Sequence, residues 1–290
     1  MSRRHEQVRL LTLDDILPIE RLLRTSEYVY QRFTQEELPL LMKHYPAVGV
    51  FNGTSLHGFL LSQSINPPSA WIGGFGVSWT ESRAYPRLFS TLLDSLSPHL
   101  IERGVQYLYY SGNNVHRDWL RSTLLAQGFF PYCQLYAYDK FDYGIPTRGN
   151  AQVTVRPVNL TRDMAALLTL EELCFDDLWR YNAIAFADIA ATHPYFVVAE
   201  LQGKIVGYQF NALDDKYGYL VRIAVHPSFE HQGIGARLMA EAIRFFQQAR
   251  VSRIMLNSQE SNNHAHRLYE WFGFVRIEQM GFVLQKCLAS

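Results

Sequence analysis

The sequence has few cysteines and no long apolar run, and each shortage excludes a class of protein. Three cysteines occur, Cys133, Cys174 and Cys287, and they are odd in number and far apart. Neither a disulfide framework nor a zinc site is therefore expected, and no metal site of another kind is predicted. No window approaches the roughly 18 uncharged apolar residues of a membrane helix, so no membrane partner is expected. These features favour a reducing, cytoplasmic compartment.

The chain also lacks an excess of charge of either sign. It contains 27 Lys plus Arg and 27 Asp plus Glu, which gives a formal net charge of zero. Nucleic-acid binders usually concentrate positive charge on one face, whereas here no basic run occurs beyond Arg3 and Arg4. We therefore expect no nucleic-acid partner. The N-terminal segment reaches Asp14 and Asp15 before any apolar stretch, which is unlike a signal peptide.

The sequence does contain a two-fold internal repeat. Its 290 residues suggest about two domains, and the Gly- and Pro-containing segment 142–152 reads as a linker between them. Each half has two apolar strands around a turn with Gly53 or Gly203, which indicates a hairpin, and each half ends in a Gly-Phe pair and a last strand. Helical spacing over 85–103 and 235–250 completes an α/β pattern. A chance likeness of two unrelated α/β halves is the alternative.

The junction between a strand and a helix at 219–239 is the segment that carries chemistry. The strand ends at Val225, and Gly233 and Gly235 precede the helix. A helix N-terminus offers unpaired N–H groups and partial positive charge, and glycine lets a phosphate approach the backbone. The junction therefore predicts a cradle for a pyrophosphate, although two glycines that merely cap a helix are the alternative. The residues after Gly235 are not the Lys-Ser/Thr of a P-loop, and Leu238 replaces the third glycine of a dinucleotide fingerprint.

At this junction the sequence resembles the GCN5-related N-acetyltransferase (GNAT) superfamily. The family signature is (Arg/Gln)-x-x-Gly-x-(Gly/Ala), which follows a strand ending in apolar-Ala-Val-x-Pro and precedes Asn, Leu-Tyr and Gly-Phe elements. The matching residues are Ile223-Ala224-Val225-His226-Pro227, Glu230 to Gly235, Ser261-Asn262-Asn263, Leu268-Tyr269 and Gly273-Phe274. The resemblance covers 153–288. It implies two tandem acyl-CoA N-acyltransferase folds, each a mixed, mostly antiparallel sheet flanked by helices.

The resemblance also implies a site for acetyl-CoA in the second half. The residues implied to bind it are Ile223, Ala224, Val225, His231, Gln232, Gly233, Ile234, Gly235, Ala236 and Asn262. Backbone N–H groups of the signature loop would hold the pyrophosphate, and Ile223 and Val225 would pair with the pantetheine arm. Tyr269 is implied as the catalytic acid for the departing thiolate, and a core aromatic is the alternative interpretation of this residue.

Two departures from the family pattern affect these expectations. The signature begins with Glu230 in place of Arg or Gln, which predicts weaker binding at most, because the cradle is built from backbone. The two usual positions of a catalytic Glu hold Asn257 and Tyr219. The remaining candidates for a general base are Glu260, His226, Asp214, Asp215 and groups that act through water.

The first half keeps the fold pattern but lacks the chemical groups. At an offset of 148 residues, Tyr85-Pro86-Arg87 takes the place of Gly233-Ile234-Gly235, and Leu124 stands where the second half has Tyr269. Side chains at these positions would fill the phosphate site, and proline has no N–H to donate. We therefore predict a degenerate GNAT-like domain at 1–145 and a catalytic GNAT domain at 152–290. The Gly-rich stretch 71–76 is interpreted as a closely packed strand.

The leading functional prediction is an acetyl-CoA-dependent N-acetyltransferase. The acceptor is a primary amine of a small molecule or of a protein N-terminus; the segments 170–176 and 195–200 resemble the branch that acetylates ribosomal-protein N-termini. A non-catalytic CoA-binding regulatory or scaffold protein is the alternative, because the usual base is missing. A monomer and a homodimer are both compatible with the sequence.

Overall fold

The computed structural model describes residues 6–288, which divide into two compact units. Within that range, the first unit contains the residues up to Gly112, Arg117–Tyr132 and the residues from Val283 onward. The second unit contains Asn113–His116 and Cys133–Phe282. Among residues 6–288, no helix is long and apolar enough to cross a membrane.

The first unit is a mixed sheet with helices packed on it. Its elements are β1 (Glu6–Leu10), α1 (Ile16–Thr25), β2 (Val29–Gln31), α2 (Leu38–His44), β3 (Ala47–Asn52), β4 (Ser55–Asn66), β5 (Ser69–Val77), α3 (Tyr85–Ile101), β6 (Tyr107–Gly112) and α4 (Arg121–Ala126). The sheet order is β1-β3-β4-β5-β6, with β2 also paired to β5. The β5–β6 pair is parallel and the other pairs in this set are antiparallel.

The second unit repeats this arrangement. Its elements are the later part of β7 (Phe130–Lys140), β8 (Thr154–Pro157), α5 (Leu160–Cys174), α6 (Ala183–Thr192), β9 (Tyr195–Leu201), β10 (Lys204–Leu213), β11 (Tyr217–Val225), α7 (Ile234–Gln248), β12 (Arg253–Gln259), α8 (Asn263–Trp271) and most of β13 (Val275–Cys287). The sheet order is β7-β12-β11-β10-β9-β8, in which β11–β12 is parallel and the other pairs are antiparallel. The predicted fold, a mixed and mostly antiparallel sheet flanked by helices, is confirmed.

Each unit contains a strand segment that comes from the other half of the sequence. The part of β7 from Leu135 to Lys140 pairs with β12 in the second unit. In the first unit, the end of β13 contributes Lys286, whose Nζ donates to the carbonyl of Gln127 at 2.6 Å. The units therefore differ from the predicted ranges 1–145 and 152–290 by these segments, which the sequence repeat did not indicate.

The local patterns of the sequence explain most of the elements. The predicted helices correspond to α3 and α7, and α7 buries an apolar stripe that includes Leu238, Ala242 and Phe246. The turns of the two hairpins contain Gly53 and Gly203 at positive φ of 61° and 75°, a region that glycine occupies without steric cost. The closely packed strand predicted at 71–76 lies within β5 and is fully buried.

The same Arg–Asp ion pair links the first strand and the start of the first helix of the repeat in each unit. In the first unit, both guanidinium nitrogens of Arg9 donate to Asp15 at 2.8 Å. In the second, Arg156 donates to Asp163 at 2.7 and 3.0 Å, and the backbone N–H of Asn159 donates to the same carboxylate at 2.8 Å. Asp163 is only 1% exposed. The pair recurs at equivalent positions, which supports a true internal repeat.

We expect Asp163→Asn to lower the free energy of unfolding at pH 7 by about 2 kcal/mol, because one member of a largely buried ion pair loses its charge. The hydrogen bonds from Arg156 hold the pKa of the Asp163 carboxyl well below its usual range. Its contribution is therefore full above the usual Asp pKa of about 3.9 and is lost as the pH falls through the lower pKa of the folded state. Urea unfolding at pH 7 and pH 3 measures it, and an equal stability of the two proteins at pH 7 contradicts the prediction.

Candidate active site

The second unit contains a cavity of about 1020 Å³ that brings the predicted site residues together. All eleven of them line it, namely Ile223, Ala224, Val225, His231, Gln232, Gly233, Ile234, Gly235, Ala236, Asn262 and Tyr269. The volume matches the upper range of natural ligand pockets. Their roles in binding and catalysis remain predictions.

The N-terminus of α7 forms one end of the cavity. Gly233 precedes the helix in the left-handed conformation, with φ of 75°, and no side chain in the described chain caps this helix. The first N–H groups of a helix have no partner within it, so those of Ile234, Gly235 and Ala236 are available to an anion. A Cβ on Gly235 would come no closer than 3.4 Å to the rest of the protein. The packing of the chain thus leaves room for a ligand here, as a phosphate cradle requires.

The free edge of β11 also lines the cavity. The N–H of His226 donates to the carbonyl of Val206 on β10 at 2.9 Å. In an antiparallel pair, every second residue of a strand hydrogen-bonds to the partner strand and the residues between them point the other way. The N–H and C=O groups of Ile223 and Val225 therefore point away from β10. Over residues 6–288, β11 pairs with β12 only at Tyr217–Tyr219. No strand of the described chain pairs with this side of Ile223 and Val225. Their backbone groups, apart from the Val225 carbonyl that accepts from the Cys174 thiol, are therefore open to an extended ligand arm.

Tyr269 lies on α8 and closes the cavity from the side. It is 5% exposed, and its hydroxyl forms a hydrogen bond with Ser258 on β12. Burial raises the pKa of Tyr269 to about 12, although the Ser258 bond opposes this shift. The phenol therefore keeps its proton throughout the physiological range and can act as a proton donor.

The opposite wall is built by the end of α5. The thiol of Cys174 donates to the carbonyl of Val225 at 3.2 Å, and burial raises its pKa to about 11. Because the thiol is protonated at neutral pH, Cys174 is a poor nucleophile.

A buried polar network holds this wall against the sheet. Glu171 accepts two hydrogen bonds from Arg222, at 3.1 and 3.2 Å, and one from the Tyr208 hydroxyl. The Arg222 guanidinium also lies over the rings of Phe175 and Tyr181, at 3.9 and 4.2 Å from their centroids. Both charges are thus paired, and the network positions Phe175, which lines the cavity.

The four predicted candidates for a general base do not line the cavity: Glu260, His226, Asp214 and Asp215. His226 Nδ1 accepts from the N–H of Ser228, and Asp214 accepts from two N–H groups of its own turn. Three side chains that line the cavity could accept a proton, namely His231, His264 and Glu230, and all three are exposed. The general base therefore stays unassigned, and a base that acts through water remains a prediction.

Two further groups of lining residues were missed by sequence reasoning. His264 and Arg267 were unassigned, although their place on the helix that contains Tyr269 could have indicated them. Thr147, Gly149 and Asn150 were placed in the linker, and no local pattern connects them with the signature loop. Asn262, which was predicted, uses its side chain to cap α8 by accepting from the N–H of Ala265.

In the first unit, the equivalent strand edge is occupied by the unit's own chain. Strand β2 pairs antiparallel with Gly74–Gly76 of β5. The N–H of Val77 donates to Tyr28 and the N–H of Arg32 donates to Gly73, at 3.3 and 2.9 Å. At the offset of 148 residues, this is the edge that Ile223 and Val225 leave free in the second unit.

Aromatic side chains fill the rest of that space. Tyr28 stacks on Tyr85 at 5.0 Å between ring centroids, and Trp119 meets both rings edge-on at 5.2 Å. Arg87, at the position of Gly235, forms a bidentate ion pair with Glu6 at 2.7 and 2.8 Å. Leu124, at the position of Tyr269, is fully buried. The first unit thus has neither the open edge nor the phenol.

Comparison with known proteins agrees with this geometry. Residues 163–274 match the model of the Acetyltransferase (GNAT) family. Mycothiol acetyltransferase of Thermomonospora curvata is 30% identical over 132 residues, which are 43% of this chain and 44% of that protein. N-alpha-acetyltransferase 30 of Saccharomyces cerevisiae is 35% identical over 63 residues, 22% of this chain and 36% of that protein. The matched segments thus span less than half of these relatives.

The fold comparison extends over the whole chain. A solved tandem GNAT protein from the clavulanic acid biosynthesis pathway superposes with a TM-score of 0.70 at 12% sequence identity, covering 99% of both chains. At this identity, the likeness concerns the fold alone. Residues 163–274 therefore match an acetyltransferase (GNAT) domain, and the chain as a whole shares the fold of the solved tandem GNAT protein.

Proposed function

We propose that the protein transfers an acetyl group from acetyl-CoA to a primary amine and that the second half, 152–290, carries out the reaction. One observation carries this proposal. The free edge of β11, the uncapped start of α7 and the Tyr269 hydroxyl all border one cavity, whereas the first unit covers the equivalent edge with β2.

The residues present fit acetyl-CoA. The N–H groups of Gly233 to Ala236 form a backbone cradle suited to a pyrophosphate, and the peptide groups of Ile223 and Val225 suit the amides of a pantetheine arm. When bound, acetyl-CoA supplies an activated acetyl thioester. The N–H groups on the β11 edge are fixed donors for negative charge on an acyl oxygen. Tyr269 holds at its phenolic oxygen the proton that a leaving thiolate needs.

The two curated relatives suggest two acceptor classes. One is named for mycothiol and the other for protein α-amino groups, and both names describe acetyl transfer. We propose an amine of either class, a small molecule or a peptide N-terminus, as the acceptor. A panel of amines and short peptides, assayed by thiol release from acetyl-CoA, separates the two classes.

We expect one molecule of acetyl-CoA to bind to each chain, because only the second unit leaves the strand edge free among the described residues. Isothermal titration measures this ratio directly. At a ligand concentration of about 100 times Kd, unfolding should cost about 2.7 kcal/mol more, which gives a clear rise in Tm. A ratio of two sites per chain would show that the first unit also binds, and absence of any heat or Tm shift at millimolar ligand would refute the proposed cofactor.

A CoA-binding protein without turnover is the second candidate function. It is favoured by one observation, since none of the four predicted base candidates lines the cavity. It predicts the same binding ratio but no thiol release with any acceptor. Turnover of a single amine above the rate of acetyl-CoA hydrolysis excludes it.

A further inference from the structure

The segment between the two sequence halves lies against the signature loop of the second unit. The backbone N–H of Asn150 donates to the carbonyl of Gly233 at 3.1 Å, and its side-chain Nδ2 donates to the carbonyl of Gln232 at 2.9 Å. Asn150 also lines the cavity, together with Thr147 and Gly149. One asparagine therefore holds two consecutive carbonyl groups of the loop that precedes α7.

These two carbonyls determine where the loop directs its N–H groups. In a trans peptide, the C=O and the N–H of one plane point in opposite directions. Fixing the carbonyl of Gln232 on the Asn150 side chain directs the N–H of Gly233 away from the segment. The carbonyl of Gly233 accepts both from Asn150 and from the N–H of Arg237 in α7, at 3.1 and 3.0 Å, and this directs the N–H of Ile234 in the same way. Both Gly233 and Ile234 line the cavity. Asn150 thus orients two of the donors that a pyrophosphate would meet.

The neighbouring residues hold Asn150 in place. Gly149 has a φ of 70°, and a Cβ there would lie 2.3 Å from the N atom of Arg237 and 2.6 Å from the carbonyl oxygen of Gly233. Only glycine permits this close approach of the segment to α7. The Asn150 Oδ1 accepts from the N–H of Gln152 at 2.8 Å, which identifies the other amide atom as the donor to the loop.

We propose that Asn150 is a positioning residue that orients the N–H donors of the phosphate cradle, and that Gly149 gives it access to the loop. This inference rests on the proposed binding of acetyl-CoA. It assigns to the segment between the halves a direct part in cofactor affinity. Its effect should be confined to the phosphate-bearing end of the ligand, because the contacts of Asn150 reach the loop and not the β11 edge.

The test measures Kd for two ligands, CoA and pantetheine, which lacks the phosphates. Asn150→Ala removes the donor to Gln232, and Asn150→Ser also removes this amide donor but keeps a hydroxyl acceptor for the N–H of Gln152 and adds no charge. Gln152→Ala is the matched control, since its exposed side chain lies two residues away. Both Asn150 variants should bind CoA about fivefold to tenfold more weakly, with pantetheine unchanged. If Asn150→Ala does not fold, the uncharged variant Asn150→Ser alone decides.

Several outcomes would overturn the inference. One is a wild-type affinity for CoA, within twofold, in the Asn150 variants. Another is an equal loss of affinity for CoA and pantetheine, which would indicate a general disturbance of the unit. In both cases the wild-type protein still binds CoA, so the failure of this inference leaves the proposed cofactor site standing. If the wild-type protein itself binds no CoA, the proposed function fails and this inference fails with it.

Discussion

Replacing Tyr269 with phenylalanine is expected to lower kcat by about a hundredfold or more and to leave Kd for acetyl-CoA within about twofold. General acid catalysis contributes typically about 10²–10⁴ in rate, and this substitution removes the proton while preserving the ring. The phenol borders the cavity and bonds to Ser258, so its loss changes no contact of the α7 cradle. Steady-state rates and isothermal titration on the same preparation separate the two effects.

Tyr138→Phe is the matched control for this experiment. Tyr138 is equally buried, and its ring centroid lies 5.8 Å from that of Tyr269, but it does not line the cavity. It should turn over at nearly the wild-type rate. The pH profile gives a second test: because the pKa of Tyr269 is about 12, ionisation of this phenol should cause no decline in kcat below about pH 10. Wild-type turnover in Tyr269→Phe would assign the residue to the core alone.

Gly235→Asp is expected to weaken acetyl-CoA binding, with a rise in Kd on the order of a hundredfold, while the protein stays folded. The carboxylate would lie among the N–H groups that a pyrophosphate needs, and its negative charge would repel the negative charge of the pyrophosphate. The same carboxylate is favourable to the helix itself, by about 0.3–1 kcal/mol, because negative charge complements a helix N-terminus. Affinity and stability should therefore change in opposite directions.

Gly235→Ala provides the control for size without charge. A Cβ at this position makes only ordinary contacts with Leu268 and Val225, at 3.4 and 3.8 Å. The alanine variant should fold normally and keep most of its affinity for acetyl-CoA. Titration and thermal unfolding of the two variants measure both properties. If Gly235→Asp binds acetyl-CoA as tightly as the wild-type protein, the start of α7 is not the phosphate site.

The features that the sequence predicted well are local ones. The glycines at the β11–α7 junction, the apolar stripe of α7 and the glycine turns of both hairpins depend on residues a few positions apart. Backbone conformation and helix amphipathicity at these positions are decided by neighbours along the chain, so a single sequence is informative. The α/β class followed from the order of these elements and the tandem GNAT fold from the family resemblance, and the predicted loss of the cradle in the first half followed from Tyr85, Pro86 and Arg87.

The features that the sequence did not predict are contacts between distant segments. Asn150 reaches the loop 82 residues further along the chain, and its Gly-Asn pair looked like an ordinary turn in a linker. Strand β2 was not identified as a separate strand, and its three residues give too short a pattern to reveal that it fills the edge of β5. The general base was also unresolved, because the approach of a carboxylate or imidazole to a reacting amine depends on side-chain placement.

The sequence by itself determined the repeated α/β architecture, the glycines at the β11–α7 junction and their replacement by Tyr85, Pro86 and Arg87 in the first half. These depend on φ preferences, helix termini and the spacing of apolar residues, which are properties of short segments. Only the tertiary structure decided which strand edge is open, which end strands enter which unit and which residue of the segment 142–152 contacts the loop before α7. These features depend on hydrogen bonds between residues that are far apart in the sequence. Many such pairings have similar local free energies, and only the packing of the whole unit favours one of them.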